Sequence, residues 1–317
     1  MLPELHPMGQ HAAIRFLLLI AVGLPMALPA VGCKAKKAGL TIKQRLEKAE
    51  KETTPDRQAA ALLKVARSQF AAGDEAAAKE TATKAFERLK GEGDPNLFTQ
   101  RLIDVGGFLA DIGERKPARE AVGLAVGLAD KIDDQVRKTQ LLADAGAIYK
   151  AASDSQAAKD TLKKATEVAN GVEDRFRADA LAAVALGYTR SQLADEASDV
   201  VDKLLAAAQK LTEPRAKAEA LAAAAGVLAQ TGKQKKAAEL LVDAEASAKS
   251  VTRLESRAYA LLAVAMATSA SGDNKKALGL LKEADKAADK VAEPASQKKI
   301  VDKVRATMAD LEKKQKK

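Results

Sequence analysis

Residues 212–232 read TEPRAKAEALAAAAGVLAQTG, and most of the chain after residue 53 repeats the plan of this stretch. A Glu-Pro pair opens it, Leu221 and Ala225 follow one helical turn apart, and Gly232 closes it. Proline suits the first position of a helix, where its missing N–H would have no partner, and glycine after the last turn ends a helix. The stretch therefore predicts a helix that begins at Pro214 and stops before Gly232.

The opening of this unit recurs at a period of about 40 residues. Four prolines, and the residues that fall in step between them, mark the openings: Pro55, Pro95, Gln135, Arg175, Pro214, Leu254 and Pro294. One step is a residue shorter than the others. Asp or Thr precedes several of these positions, and both residues are good helix N-caps. A regular period of this length indicates a stack of repeats.

Further positions repeat in the same register. A large apolar residue follows seven positions after each opening: Leu62, Leu102, Leu142, Leu181 (one residue early), Leu221 and Leu261. A small residue comes four later: Ala66, Gly106, Gly146, Ala185, Ala225 and Ala265. The turn then holds Gly73, Gly113, Ser153, Leu193, Gly232 and Gly272. Alanine recurs five beyond the turn and again seven further on, with Ser198 and Leu205 in the fourth unit. Each unit is predicted to be helix, tight turn, helix.

This pattern resembles the tetratricopeptide repeat (TPR), a family that combines a large residue, Gly or Ala four later, Gly at the turn and Ala at two positions beyond it. Six consecutive units over residues 54–292 meet the pattern. They are longer than the family's 34 residues, and Leu takes the large position in a chain with only 3% aromatic residues. One continuous helix is a poor alternative, because each internal Gly or Pro would cost about 1 or 3 kcal/mol. The resemblance implies an all-α fold, an α-solenoid of TPR-like helical hairpins.

Residues 1–33 have the features of an export signal. Arg15 precedes an apolar run over residues 16–32, as in a secretory signal peptide. The Gly-Cys pair that ends the run resembles a bacterial lipobox, where cleavage precedes a cysteine that then carries lipid. We predict a signal peptide over residues 1–32 and lipidation of Cys33, which would tether the exported chain to an envelope membrane, facing the periplasm or the exterior. An ordinary cleaved signal and an uncleaved anchor are the alternatives.

Both ends of the predicted mature chain are basic. Residues 34–51 and residues 298–317 each carry a net charge of +5, whereas the repeats between them are nearly neutral. We interpret residues 33–53 as a lipidated basic tether with an N-terminal capping helix, and residues 293–317 as a C-terminal capping helix with a basic tail. Arg305 occupies the small position of that last helix, as expected where no further repeat packs. Near a lipid anchor, each basic residue adds roughly 1 kcal/mol of attraction to anionic headgroups.

The predicted mature chain lacks the side chains that most catalysis and metal binding require. Both histidines, His6 and His11, lie in the predicted signal peptide, and Cys33 is the one cysteine. Histidine-based triads and imidazole or thiolate metal sites are therefore excluded. No phosphate-binding glycine loop follows a predicted strand. We predict a protein that is not an enzyme, with no metal site and no cofactor; an enzyme that uses carboxylates alone is the alternative.

Binding is therefore the predicted role. The resemblance implies that the first helices line a concave groove, at positions that hold Leu63, Arg67, Phe70, Ile103, Gly107, Ala110, Leu262, Met266 and Ser269. Packing within a tight superhelix is an equal alternative for these residues. The predicted function is a membrane-tethered scaffold for protein or peptide partners in the cell envelope. A soluble exported binder of anionic polymers through the basic ends is the runner-up. Nucleic acid is not an expected partner, because an exported chain would not meet it and no interleaved aromatic residues offer stacking.

Overall fold

The structure, a computed structural model, describes residues 40–91 and 93–315, which form fourteen α-helices and no strand. The predicted all-α class is confirmed. Cys33 and the predicted signal peptide lie outside the described residues. The helices are α1 Ile42–Glu50, α2 Pro55–Ala71, α3 Glu75–Glu87, α4 Pro95–Asp111, α5 Arg115–Ala129, α6 Gln135–Ala151, α7 Ser155–Gly171, α8 Asp174–Arg190, α9 Ala194–Gln209, α10 Pro214–Gln230, α11 Gln234–Ser250, α12 Leu254–Ala270, α13 Asn274–Ala288 and α14 Pro294–Gln315. Among these fourteen, none is long and apolar enough to cross a membrane.

Twelve of the helices pair into six hairpins, from α2 with α3 to α12 with α13. The first helices of neighbouring hairpins touch one another, whereas each second helix packs mainly on its own partner and on the next first helix. Helix α1 packs against α2, and α14 packs against α12 and α13. Because the first helices are closer together, the stack curves with them on its inner side. The protein is an α-solenoid of TPR-like hairpins, as the repeat pattern predicted.

Five of the six predicted turn residues adopt the left-handed backbone that ends each first helix. The φ angle lies between 82° and 95° at the four glycines and is 64° at Ser153. In the fourth hairpin the prediction was wrong by one residue, because Gln192 has the positive φ of 59° and Leu193 does not. The left-handed conformation costs a non-glycine residue roughly 1–2 kcal/mol. The hairpin geometry therefore imposes this turn even where glycine is missing.

The one step of the repeat that is shorter by a residue lies between α7 and α8. Only residues 172–173 separate these two helices, so α8 begins at Asp174 and not at Arg175 as predicted. The shorter step in the period thus comes before the fourth hairpin, and the later positions of that hairpin move with it. The fully buried residues at the two alanine positions are Ala197 and Leu204, in place of Ser198 and Leu205.

The repeated positions form the core, and the small ones let each first helix pack closely on its own second helix. The six leucines are at most 8% exposed, and the four alanines that follow them are at most 1% exposed. A Cβ atom on Gly146 would come within 2.5 Å of Leu162 Cγ, so the leucine occupies that space. A Cβ atom on Gly187 would lie 3.0 Å from the carbonyl oxygen of Ala143. The backbones of α6 and α8 therefore approach each other with almost no side chain between them.

Charged groups close the C-terminal end of the described stack. Arg305 takes the small position of α14 and stays exposed. Its guanidinium lies 2.9 Å from a carboxylate oxygen of Asp285 on α13 and 3.0 Å from one of Asp289, the residue that follows this helix. The last helix therefore presents a paired cation where the other hairpins bury an alanine or a glycine.

We expect Ala225→Leu to lower the free energy of unfolding by about 1–3 kcal/mol, because the larger side chain would overpack a helix crossing. Ala225 has no exposed surface, whereas Ala223 is half-buried and faces the inner side of the stack. Ala223→Leu, two residues away on the same helix, should therefore cost much less. Urea unfolding of both variants tests this, and equal losses would show that the helical phase assigned to α10 is wrong.

Candidate functional site

A groove runs along the inner side of the C-terminal half of the solenoid. Five helices line it: the first helices of the third to sixth hairpins, α6, α8, α10 and α12, together with α14. The cavity has a volume of about 120 Å³. A water molecule needs roughly 10–15 Å³ on the same measure, so the groove has room for about ten water-sized groups. It can enclose a side chain or two of a bound segment, but not a folded domain.

The groove lining follows the repeat. Positions are counted as the number of residues after the first residue of each inner helix. Residues at positions five and nine face the groove, beside those at positions eight and twelve. Position five holds Gln140, Asp179, Glu219 and Tyr259, and position nine holds Asp144, Ala183, Ala223, Ala263 and Lys303. Because these positions lie about one helical turn apart, each helix contributes one short row of side chains.

The floor of the groove is apolar and its side chains are small. Ala182, Ala183 and Ala223 are half-buried and leave the helix backbones close to the surface. Leu186 and Met266 add larger apolar surface. Apolar walls with a few polar groups are typical of ligand sites. The arrangement favours an extended or helical segment that places small or apolar side chains against this floor.

Two ion pairs stand at the sides of the floor. Arg190 Nη1 lies 3.0 Å from Asp144 Oδ1 and joins α8 to α6. Arg215 Nε lies 2.8 Å from Glu219 Oε1, one helical turn along α10. All four side chains are between 18% and 29% exposed, which shields both pairs from water and salt more than surface pairs are shielded. These contacts hold the charged groups in place around the floor.

Asp179 differs from these carboxylates, because no hydrogen bond or ion pair to it forms among the described residues. It lies on α8 in the lining of the groove and is half-buried. Burial raises the pKa of Asp179 from 3.8 to about 6, the negative charge of Glu219 acts in the same direction, and Arg215 opposes them. Asp179 is therefore a carboxylate that the surrounding protein does not fully compensate.

Cations gather around an aromatic ring at the other end of the groove. The Arg215 guanidinium lies 5.1 Å from the centre of the Tyr259 ring, and Lys303 Nζ lies 5.7 Å from it. Burial lowers the pKa of Lys303 from its usual value, while the charge of Glu219 acts to raise it. Cation–π contacts of this kind contribute about 0.5–2 kcal/mol. The groove is thus acidic at Asp179 and basic at Lys303.

The residues predicted to line a groove lie in two separate places. Leu262 and Met266 are in the lining described above. Leu63 and Ile103 are 6% and 5% exposed in the N-terminal half and do not belong to that groove. The predicted positions were the eighth, twelfth and fifteenth of each first helix. The fifth and ninth positions, which carry the polar groups of the groove, were missed, although polar residues recur there along the sequence.

Arg67 and Phe70 form a second cluster at the N-terminal end of the inner face. Phe70 is 42% exposed, and its ring meets that of Phe108 nearly at right angles with centroids 6.1 Å apart. The Arg67 guanidinium lies 5.8 Å from the centre of the Phe108 ring. Burial raises the pKa of the adjacent Asp111, and the charge of Arg67 opposes that rise. In this cluster the two rings contact each other and a cation lies over one of them.

The described residues include no group of three or more His, Cys, Asp or Glu side chains placed to hold a metal ion. The polar groups of the groove are carboxylates, guanidinium groups, an amide, an ammonium and a phenol. Such groups suit recognition of a charged or polar ligand through hydrogen bonds and ion pairs.

Fold and groove together define the class of the protein as a TPR-like α-solenoid. No protein-family model and no curated protein matches the chain. Among solved structures, Ton1535 of Thermococcus onnurineus NA1 is 14% identical over 82% of this chain and 94% of its own, with a TM-score of 0.39. The nearly identical TPR-like repeats attributed to a kinesin light chain of Podosopora anserina are 18% identical over 63% of this chain and 98% of theirs, with a TM-score of 0.41. A Rap protein in complex with competence and sporulation factor is 14% identical over 86% of this chain and 79% of its own, with a TM-score of 0.38. These scores are low, and the assignment to the class rests on the pairing of this chain's own helices.

We expect Asp179→Asn to raise the free energy of unfolding at about pH 7.5 by about 1–3 kcal/mol, since each pKa unit corresponds to about 1.4 kcal/mol. A carboxyl whose folded-state pKa lies above its unfolded value costs nothing below about pH 4, where both states are protonated. The cost appears as the pH rises from about 4 to above about 6, because the carboxyl of the unfolded chain loses its proton at a lower pH than that of the folded protein. The amide avoids this cost.

Urea unfolding of wild type and Asp179→Asn at about pH 4, 6 and 7.5 measures the difference. The two proteins should be equally stable at the lowest pH. Asp199→Asn is the control, because Asp199 is exposed on α9; it should change stability little at any pH. A gain from Asp179→Asn that is the same at all three pH values would contradict the assigned cause.

Proposed function

We propose that this protein is an exported, membrane-tethered scaffold whose inner groove binds a short segment of a partner protein. The observation that carries the proposal is the groove itself, an apolar floor built on five inner helices and bordered by charged side chains from four of them. Solenoids offer extended surfaces of this kind, whereas a reaction centre needs reactive groups that converge on one point. The volume of about 120 Å³ suits side chains of a bound segment.

The chemistry of the lining supports a peptide as the ligand. Small residues such as Ala183 and Ala223 leave room for a main chain to approach the helix backbones. The paired groups Arg190 and Asp144 offer both donors and acceptors beside that floor. A peptide uses all three features, since it carries apolar side chains, main-chain N–H groups and main-chain carbonyl oxygens.

We expect Ala223→Trp to abolish peptide binding, because an indole at this position would fill the groove. The full chain, in detergent micelles, would be used to select binders from a random peptide library displayed on phage. Ala238→Trp is the matched control, since Ala238 is exposed on α11, the partner helix of α10. Wild type and the control should enrich the same peptides, and Ala223→Trp should bind them at least tenfold more weakly.

Two results would overturn this proposal. Peptides that bind Ala223→Trp as well as wild type would occupy another surface. A selection that enriches no sequence would show that the groove does not bind peptides. Circular dichroism of Ala223→Trp confirms that any loss of binding comes from a folded variant.

The tether is the second part of the proposal. The apolar run over residues 16–32, the cysteine that follows it and the basic residues 34–51 support export and lipidation. A single myristoyl-length chain binds membranes only marginally, whereas two or more chains anchor stably. Attraction of basic residues to anionic headgroups is screened by salt, and acyl chains in the bilayer are not. A lipidated protein therefore stays with membranes in high salt.

We expect the native protein to begin at Cys33, to carry lipid on that residue and to remain with membranes in about 1 M salt. Cys33→Ser removes the thiol that the lipid transfer requires, so the variant should stay unprocessed or be released. Mass spectrometry of the N-terminus, together with membrane fractionation, distinguishes these states. A native N-terminus at another residue, or an unmodified Cys33, would rule out the lipid tether.

A further inference from the structure

In each of four consecutive hairpins, a carboxylate occupies position five or position nine of the first helix. Asp104 and Asp144 occupy position nine of α4 and α6, and Asp179 and Glu219 occupy position five of α8 and α10. Three of the four have an arginine within ion-pair distance. The pairs are Arg101 with Asp104 at 3.4 Å, Arg190 with Asp144 at 3.0 Å and Arg215 with Glu219 at 2.8 Å.

Asp179 is the member of this row for which the described residues supply no such partner. Two charged groups act on Asp179: Glu219, and the Arg215 that pairs with Glu219. Together with Asp179 they make a group of three charges. Their charges sum to a single negative charge when all are ionised. A half-buried carboxylate without a partner loses part of its hydration, and no described residue replaces that interaction. A ligand that brings a positive charge to this point would restore the missing interaction.

Resting on the proposed function, we infer that Asp179 selects the ligand by accepting a lysine or arginine side chain of the bound peptide. The peptide residues beside that cation are small or apolar and pack on Ala183, Ala223 and Met266. Asp179 is therefore the specificity residue of the groove. The ligand class is a peptide segment with a basic residue next to small or apolar ones.

The position of the other charges favours a basic side chain over an acidic one at this point. Glu219 adds a second negative charge near Asp179, and Arg215 is already held by Glu219 at 2.8 Å. Lys303 lies at the far end of the groove, where it contacts the Tyr259 ring. An acidic peptide side chain beside Asp179 would face repulsion from two carboxylates. A free amine would pair with Asp179 but leave the apolar floor uncovered.

Binding of a basic peptide should depend on pH, because it requires ionised Asp179. The other titratable or charged groups of the lining are Asp144 on α6, Arg190 on α8, Glu219 on α10, Tyr259 on α12 and Lys303 on α14, and the charges of Glu219 and of Arg215 act on Asp179. Helices α7 and α9, which also pack on α8, contribute no residue to the lining. Burial raises the pKa of Asp179 to about 6. Affinity should therefore be full above about pH 7 and decline as the pH falls below about 6.

A double-mutant cycle on the full chain in detergent micelles tests the inference. The probes are a peptide from the display selection and the same peptide with norleucine, an uncharged isostere, in place of its enriched lysine or arginine. Each is labelled with a fluorophore, and its Kd for wild type, Asp179→Asn and Asp199→Asn is measured by anisotropy. Asn is nearly isosteric with Asp, so shape is retained while the charge is lost and one acceptor oxygen becomes an NH2 donor.

We expect three results. Peptides selected by wild type should be enriched in Lys or Arg at one position. The basic peptide should bind Asp179→Asn at least tenfold more weakly than wild type or Asp199→Asn, whereas the norleucine peptide should bind all three alike. The affinity of wild type for the basic peptide should fall between about pH 7 and pH 5, and that of Asp179→Asn should stay constant.

The outcomes separate this inference from the proposed function. Groove-dependent peptides without Lys or Arg enrichment, or equal losses for both probes on Asp179→Asn, would overturn the role of Asp179 and leave peptide binding intact. Failure of every peptide to depend on Ala223 would overturn both.

Discussion

Close approach of neighbouring helices is the constraint on which the rest of this structure depends. Six hairpins place Ala or Gly at the same crossing position, and these residues are buried. At Gly187 even a Cβ atom would lie 3.0 Å from the backbone of the neighbouring helix. Each alanine buries little apolar area, so a single hairpin gains little stability from its own core. Stability must come from the repeated interfaces between neighbours, as in other solenoids.

The same constraint produces the groove. Small residues such as Gly187 let the inner helices lie close together, so the stack curves. One face of each inner helix then borders the concave side, next to the same face of its neighbours. Ala183 and Ala223, which are not at the crossing position, leave a shallow floor on this face. With larger residues at these positions, side chains would fill the space that the curvature creates. The alanine content of the chain therefore explains both its packing and the open floor of this groove.

The fold was predictable because its signal is repeated six times. Leu and Ala at constant spacing outweigh any local ambiguity, and glycine at four turns fixes where the hairpins reverse. The prediction was wrong only where one repeat lacks these markers. Residues 172–175 contain no Gly or Pro, so the sequence could not show that α8 begins at Asp174. Gln192 carried no turn signal, because it adopts the left-handed backbone through the tertiary structure and not through its own preference.

The candidate site was less predictable, for a physical reason. From sequence alone, a polar residue on an amphipathic helix is predicted to be exposed to solvent. Only the curvature of the stack determines which polar residues lie inside a groove. Leu262 and Met266 were predicted because they match groove positions of the tetratricopeptide repeat, whereas nothing in the sequence distinguishes Asp179 and Lys303 from ordinary surface charges. The spacing of Asp179 and Lys303 from the start of their helices, five and nine residues, can be counted in the sequence. That these positions line a groove depends on contacts between hairpins about 40 residues apart in the chain.

The outer side of the solenoid is held by a different kind of contact. Second helices of successive hairpins fan apart, and exposed ion pairs bridge several of the gaps: Lys79 with Glu114, Lys159 with Glu196, Lys236 with Asp202 and Lys276 with Glu245, at 2.8–3.2 Å. Exposed pairs contribute about 0–1 kcal/mol each and weaken as salt rises. The inner crossings are apolar and do not weaken in this way. The spacing of the inner helices therefore depends on close packing such as that of Gly187 on Ala143, whereas the outer ion pairs contribute little to it.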